Sequence, residues 1–142
     1  MKEGFQTEYK RKINYYETDC MGIVHHSNYI RFFEEARLDL LEKCDLGYRE
    51  IEEKGLIIPV TFVDCQYLVP LRYDDRIHII THFDKYTGIK MELSYEIYHE
   101  KTGQLCTTGR SGHCFLDNAL HPVRMKRDYP DIFEKLQSIV KE

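Results

Sequence analysis

Residues 19 to 28 combine a carboxylate with the start of a helix, a pairing suited to ester or thioester chemistry. Asp19 lies a few residues before the predicted first turn at Ser27, and Gly22 between them permits a tight backbone turn. The first amide N–H groups of a helix have no partner within the helix and attract negative charge. Such a segment supplies a base or nucleophile together with donors for a developing oxyanion. On these residues alone, a helix-capping role for Asp19 is favoured over catalysis, because Asp often caps helices.

The histidines do not predict a metal site. His25 and His26 are adjacent, and neighbouring side chains rarely point at one ion. We expect them at most to orient water or substrate at the helix start. His78 and His82 have a helical i, i+4 spacing, but the Ile-rich residues around them indicate a strand, which separates them by roughly 13 Å. We therefore expect no bound metal.

Further reactive side chains near Asp19 have simpler interpretations. Glu34 and Glu35 are carboxylates on the predicted helix, but Glu34 stands three residues before Arg37, a spacing typical of a helical ion pair. Cys20 follows Asp19 directly, yet no base is placed to form a thiolate pair with it. We expect Cys20 to be a small packing residue.

Hydrophobic spacing predicts a long buried helix over residues 27–44. Tyr29, Phe33, Ala36 and Leu40 recur at helical intervals, and a stripe this apolar belongs inside the protein. Ser27 or Asn28 is expected to cap its start.

Residues after this helix predict an antiparallel sheet. Segments rich in Val, Ile, Tyr and Thr occupy 57–69, 76–86, 89–99 and 105–116, with turn signals between them, and 8–15 forms a possible first strand. Short turns between long consecutive strands predict a meander. Helical turns are expected at 48–54 and 129–140. The fold class is therefore α+β, with the long helix in the concave face of a curved sheet whose open edge favours pairing with a second copy.

Composition places the chain among ordinary globular proteins and excludes several functions. Its 142 residues suffice for one domain, residues 1–142. A net charge of −4 gives no support to nucleic-acid binding through a basic face. No apolar run approaches the roughly 18 residues that a membrane span requires. Five scattered cysteines without a C-x-x-C pair favour reduced thiols, and we expect a cytoplasmic protein.

Three groups of residues resemble a known family. Tyr15 or Tyr16, Thr18, Asp19, Gly22, Val24 and Tyr29 match its pattern Tyr-x-Asp-Thr-Asp-x-x-Gly-x-Val-Tyr-x-x-x-Tyr, and Phe32, Glu34, Ala36 and Arg37 extend the match. Pro70 to Asp75 resembles a second motif, Pro-x-x-x-x-Asp at a strand turn. The sequence is similar to the hotdog-fold acyl-CoA thioesterases, specifically the 4-hydroxybenzoyl-CoA thioesterase family and its branch associated with the bacterial Tol–Pal system. The resemblance implies a hotdog fold, a long central helix wrapped by a curved antiparallel five-stranded sheet.

The resemblance also implies an activity and a set of site residues. It implies hydrolysis of an acyl-coenzyme A thioester, or of an acyl carrier protein thioester, without a cofactor, by a homodimer or homotetramer. Asp19 corresponds to the catalytic carboxylate, as nucleophile or base, and the backbone N–H of His26 to the oxyanion donor near the Gly22 turn. His25, in place of a common Tyr, and Tyr29 would contact substrate, while Glu17 stands where Asp is usual. The residues expected to hold the phosphates of coenzyme A are Lys90, Arg124 and Lys126.

Two other functions remain as alternatives. A hotdog hydratase or dehydratase would carry Asp-x-Asn-Pro-x-His, but Asp19 is followed by Cys-Met-Gly and His25 falls one residue late. A non-catalytic acyl-CoA sensor or scaffold would keep the pocket, usually beside an added binding domain, for which the chain has no spare residues. Both alternatives are less favoured than the thioesterase.

Overall fold

A computed structural model describes residues 5–140. The long helix α1 (Ser27–Lys43) follows strand β1 (Gln6–Lys12) and a single 3-10 turn (Tyr15–Glu17). The remaining elements are α2 (Tyr48–Glu53), β2 (Val60–Tyr67), β3 (Arg76–Tyr86), β4 (Lys90–His99), β5 (Leu105–Cys114), α3 (Met125–Asp128) and α4 (Pro130–Val140). The element order and the α+β class agree with the prediction. None of the helices within residues 5–140 is long and apolar enough to span a bilayer.

The five strands form one antiparallel sheet in the order β1-β3-β4-β5-β2. The predicted meander is correct for β3, β4 and β5 but wrong for β2, which pairs with β5 at the far edge. The reason is the connection between β2 and β3, residues 68–75, which is long enough to cross the sheet instead of closing a tight hairpin. Because of this crossing, the end of β2 lies beside the segment that precedes α1, where Val24 N–H donates to the Leu71 carbonyl at 2.8 Å.

Helix α1 lies in the concave face of the sheet. Phe33 stacks on Tyr95 of β4 with ring centroids 4.4 Å apart. It also lies against Gly109 of β5, where an added Cβ would overlap the Phe33 ring and approach the Asp64 carbonyl to 2.8 Å. A larger residue at position 109 would therefore push the helix off the sheet.

A chain of hydrogen bonds runs through the core beneath α1. Arg37 donates to the Tyr95 hydroxyl at 3.3 Å, Tyr95 and Ser111 share a bond of 2.6 Å, and Ser111 bonds His113 Nε2 at 2.8 Å. Burial, together with the positive charge of Arg37, lowers the pKa of His113 to about 4. His113 is therefore neutral, with Nε2 as acceptor, and since an arginine only donates, every hydroxyl in the chain donates towards His113.

We expect His113 to make the protein less stable in acid. The unfolded imidazole takes up a proton near pH 6.5, whereas the folded one does so only near pH 4. The free energy of unfolding should fall as pH drops through this window, by up to about 3 kcal/mol. Urea denaturation at several pH values measures this fall, and a His113→Gln variant should show a smaller one. Equal pH dependence in the two proteins would contradict the assignment.

Candidate active site at the start of helix α1

The segment that carries Asp19 is a closed loop. The Asp19 N–H donates to the Ile23 carbonyl at 2.9 Å, and the Gly22 N–H donates back to the Asp19 carbonyl at 2.9 Å. Gly22 has a φ of +80°, which a residue with a side chain rarely adopts, so the expected role of this glycine in the turn is confirmed. One Asp19 oxygen, Oδ1, accepts the Met21 N–H at 2.9 Å. The other oxygen, Oδ2, accepts no hydrogen bond from residues 5–140 and is available to a ligand.

The loop begins at Glu17, a carboxylate that is 5% exposed. Arg11 of β1 donates to both Glu17 oxygens, at 2.6 and 2.7 Å, and the Asn14 N–H donates to one of them at 2.8 Å. The same guanidinium holds Glu35 of α1 at 2.8 and 2.9 Å and lies 4.4 Å from the centre of the Phe32 ring. This network joins β1, the loop and α1, because one guanidinium bonds a carboxylate of the loop and a carboxylate of the helix. Removal of Arg11 would leave the buried Glu17 carboxylate without this cation.

The Glu17 carbonyl oxygen connects the loop to the helix start. It accepts the His25 N–H at 2.9 Å and the Asn28 side-chain amide at 2.8 Å. Asn28 is buried, and its amide nitrogen has no other acceptor among the described residues. The Glu17 carbonyl oxygen therefore fixes the position of both ends of the segment from Asp19 to His26.

The residue that caps the start of α1 is not one of those expected from the sequence. Neither Ser27 nor Asn28 caps α1, since Asn28 bonds Glu17 and Ser27 already lies in the first turn. The His25 ring takes this role instead, with Nδ1 accepting the Ser27 N–H at 3.2 Å and bonding its Oγ at 2.8 Å. Within residues 5–140, the backbone N–H of His26 donates to no carbonyl or side chain. That amide is the unpaired donor that the sequence predicts.

Asp19 and His26 open into the same cavity, of about 320 Å³. Its walls are mostly apolar, and Tyr67 of β2 donates its hydroxyl to the His26 carbonyl at 3.2 Å. Burial raises the pKa of Tyr29 and of Tyr67 to about 12, so both phenols stay protonated. The remaining lining residues are Met21, Ile23, Val24, Leu68, Val69 and Pro70. A carboxylate and the residue with the unpaired N–H therefore line one mostly apolar cavity that is partly open to solvent. A carbonyl bound there could meet both groups.

A larger hollow, of about 380 Å³, lies between α2 and α4. Charged residues of both signs line it, among them Asp45, Glu50, Lys54 and Lys135. No predicted site residue lines it, and its wall carries charges of both signs where the cavity at Asp19 is mostly apolar. The lining residues therefore favour the smaller cavity at Asp19 as the candidate active site.

The structure brings some of the predicted substrate contacts together and separates others. Tyr29 lines the cavity, whereas the His25 ring is bonded to Ser27 and lies against the His26 ring at 4.2 Å. Lys90, Arg124 and Lys126 lie at the opposite end of the sheet. Lys90 pairs with Cys114 at the end of β5, while Leu68 of the cavity bonds Cys106 near its start. The rise of a strand puts about 25 Å between these two ends.

The contacts of the remaining histidines and of Cys20 bear on other expectations. His78 bonds Glu8 and His82 bonds Glu96 at 3.1 Å on the outer face of the sheet, so they do not share an ion. Among the described residues, no group of three His, Cys, Asp or Glu side chains could hold a metal. Cys20 is exposed, so its expected packing role is wrong. Sequence reasoning missed Arg11 and Tyr67 and gave Asn28 a capping role instead, because their contacts join different elements of the fold.

Comparison with known proteins identifies the family. A family model described as the thioesterase-like superfamily matches residues 13–136. The chain belongs to this superfamily. A Bacillus subtilis member named "Putative acyl-CoA thioesterase YneP" is 32% identical over 121 residues, 84% of this chain and 87% of that protein. A 1,4-dihydroxy-2-naphthoyl-CoA hydrolase of Thermosynechococcus vestitus is 30% identical over 94 residues, 66% of this chain and 64% of that protein.

Solved structures of the thioesterase-like superfamily share the fold. A DHNA-CoA thioesterase from Staphylococcus aureus superimposes with a TM-score of 0.90 at 32% identity, covering 94% of this chain and 90% of that one. The hotdog fold is therefore confirmed, and the chain is a thioester hydrolase.

We expect Asn28 to be a positioning residue for this hydrolase. Asn28→Asp keeps the shape of the side chain but cannot donate to the Glu17 carbonyl when ionised. The start of α1 should shift relative to Asp19, and kcat for thioester hydrolysis should fall roughly 10- to 100-fold with little change in KM.

A matched control separates this effect from general loss of stability. Leu136→Ala, on the buried face of α4, should lower the free energy of unfolding by about 2–5 kcal/mol and leave kcat intact. If Asn28→Asp alters only thermal stability, its role is structural and the assignment is wrong.

Proposed function

We propose that the protein hydrolyses acyl-CoA thioesters with Asp19 as nucleophile or general base and the His26 N–H as oxyanion donor. The observation that carries the proposal is that Asp19 and His26 line one apolar cavity at the start of α1. A thioester carbonyl placed there would receive the N–H on its oxygen while Asp19 acts at its carbon or on an adjacent water.

The reaction has two routes with the same products. As a nucleophile, Asp19 forms a C–O bond to the acyl carbon, the C–S bond breaks to release the CoA thiolate, and water then cleaves the mixed anhydride. As a base, Asp19 accepts a proton from water while the water oxygen attacks the acyl carbon. The C–S bond then breaks, and the departing thiolate takes up that proton. Either route gives a carboxylic acid and a thiol. Because a thiolate is a good leaving group, one carboxylate and one preorganised donor are sufficient, and no cofactor is required.

Relatives support the substrate class. The Bacillus subtilis, Thermosynechococcus vestitus and Staphylococcus aureus proteins are all named for CoA thioesters. The motif around Asp19 supports a finer placement, in the 4-hydroxybenzoyl-CoA thioesterase family and its Tol–Pal-associated branch. The five cysteines form no disulfide among the described residues, which supports a reducing compartment such as the cytoplasm.

We further propose that two copies associate through β2. This strand forms one edge of the sheet, and it exposes 49% of Val60 and 39% of Val63. An apolar edge with unpaired backbone groups is suited to antiparallel pairing with the same strand of a second copy. The outcome would be a homodimer with one continuous sheet, or a tetramer of two such pairs.

Such pairing would change which residues surround Asp19. In an antiparallel pair, the Val60 end of one β2 lies beside the Tyr67 end of the other. Lys90, Arg124 and Lys126, which are far from Asp19 within one chain, would then lie at the same end as the Asp19 cavity of the other copy. Their predicted contact with coenzyme A phosphates thus depends on the dimer.

Replacement of Asp19 tests the chemistry. Asp19→Asn still accepts the Met21 N–H but provides no negative oxygen, so kcat should fall roughly 10²- to 10⁴-fold while the fold is retained. Free thiol released from a panel of acyl-CoA thioesters measures the rate, and Asp84→Asn, an exposed acid at the end of β3, is the control. Parental rates in Asp19→Asn and Asp19→Ala would exclude the mechanism, and binding without turnover by the parent would favour the sensor alternative.

A charge on β2 tests the assembly. Val63→Asp would place a carboxylate near the centre of the pair, close to the partner's Asp64, and like charges there should dissociate the dimer. Light scattering should give dimer or tetramer mass for the parent and monomer mass for the variant, whereas Leu120→Asp, exposed on a distant turn, should not change the mass. An active monomeric parent would contradict the shared site.

A further inference from the structure

His25 contributes two hydrogen-bond acceptors to the start of α1. Its ring nitrogen Nδ1 accepts the Ser27 N–H at 3.2 Å, and its backbone carbonyl accepts the Asn28 N–H at 2.9 Å. The His25 N–H in turn donates to the Glu17 carbonyl at 2.9 Å. One residue therefore holds two of the first amides of the helix and is itself attached to the loop of Asp19.

Five successive amides, from His25 to Tyr29, lie at this helix start. Three of them donate to Glu17 or to His25, and the Tyr29 N–H donates to the His26 carbonyl at 3.4 Å. Within residues 5–140, the His26 N–H is therefore the one of the five that has no acceptor. Since free donors at a helix start attract a negative oxygen, the acceptors around them decide which donor that oxygen meets.

Of these four bonds, only the one to the His25 imidazole depends on a side chain, because the other three acceptors are backbone carbonyls. Without the ring, the Ser27 N–H would also be free, directly after the His26 N–H in the chain. His26 lines the cavity with Asp19, whereas Ser27 is not among its lining residues. A carbonyl oxygen bound by Ser27 would therefore be held away from the position beside Asp19.

The bond to Ser27 requires a neutral imidazole. A ring nitrogen that accepts an N–H carries no proton, so the proton of His25 is on Nε2. The Ser27 hydroxyl donates to the same Nδ1 at 2.8 Å, in agreement with this tautomer. A carboxylate in this place would also accept the N–H, but its negative charge would oppose the charge that develops on an oxyanion at His26. The neutral ring therefore caps the helix without this cost.

We infer that His25 is a positioning residue whose ring occupies the Ser27 N–H and so leaves the His26 N–H as the single free donor for the substrate carbonyl. The inference rests on the proposed function. It differs from the substrate contact that the family resemblance implies for His25, which is not among the residues that line the cavity. The ring also lies against the His26 ring, with centroids 4.2 Å apart, so the contribution of the acceptor must be separated from that of the ring.

Three substitutions at His25 separate the acceptor from the ring. His25→Asn has an amide oxygen that can accept the N–H two residues later, as in an Asx-turn, but has no ring. His25→Phe has a ring but no acceptor, and His25→Ala has neither. In His25→Phe and His25→Ala, kcat for release of free thiol from an acyl-CoA thioester should fall roughly tenfold without a rise in KM, because a second donor holds the carbonyl in an unproductive position. His25→Asn should restore kcat to near the parental value, and His121→Ala, at an exposed histidine on a distant turn, is the matched control.

Several kinetic results would overturn the inference while leaving the proposed function intact. A parental kcat in His25→Phe would assign the role to the ring and its contact with His26. An equal loss of kcat in His25→Asn and His25→Ala would show that the acceptor is not what matters. A rise in KM at constant kcat in all three variants would make His25 a substrate contact instead.

Amide hydrogen exchange measured by NMR separates the inference from the proposed function. The Ser27 amide should exchange slowly in the parent and in His25→Asn, and faster in His25→Phe and His25→Ala, because only the first two provide its acceptor. If the parent hydrolyses no thioester, the proposed function fails, yet this pattern would still support a ring that occupies the Ser27 N–H and leaves that of His26 free. Equally fast exchange of the Ser27 amide in all four proteins would refute the inference.

Discussion

One backbone oxygen, the carbonyl of Glu17, determines the geometry of the site. It accepts two hydrogen bonds, from the His25 N–H and the Asn28 side chain, which use both of its lone pairs. Asp19 follows two residues later on one side, and His26 begins the helix on the other. The distance between the Asp19 carboxylate and the His26 N–H thus depends on contacts made by neither group. Under the proposed function, a geometry fixed in this way would require no reorganisation when substrate arrives.

A buried ion pair supports that oxygen. Placing the Arg11 and Glu17 charges in the interior costs desolvation free energy, which the short bidentate contact and the further bonds to Asn14 and Glu35 offset. Such a pair is weak evidence for stability and better evidence for specificity, because it tolerates few alternative arrangements. This desolvation cost falls where the first strand, the loop and the long helix meet, beside Asp19.

The sequence predicts those helices and strands whose structure follows from the periodicity of their apolar residues. Spacing alone predicts α1 and strands β3 to β5, and the motif around Asp19 locates the carboxylate and the free N–H. The order of the strands depends on the path of residues 68–75. The alternation of apolar and polar residues does not encode that path, so the predicted position of β2 is wrong. Spacing predicts neither the ion pair of Arg11 nor the bond of Asn28 to Glu17, because these partners become neighbours only in the folded chain. Arg72 lies within a recognised motif, yet its nearness to Gly22 is visible only in three dimensions.

The contact of Phe33 with Gly109 limits how this enzyme can diversify. The ring fills a place in the sheet that only a residue without a side chain leaves open, so the helix cannot slide along its axis without a simultaneous change at both positions. If the Asp19 cavity holds the acyl group as proposed, new acyl preferences, evolved or designed, would come from changes in its wall, which includes Met21, Leu68 and Val69. The central scaffold would stay invariant while those peripheral residues vary.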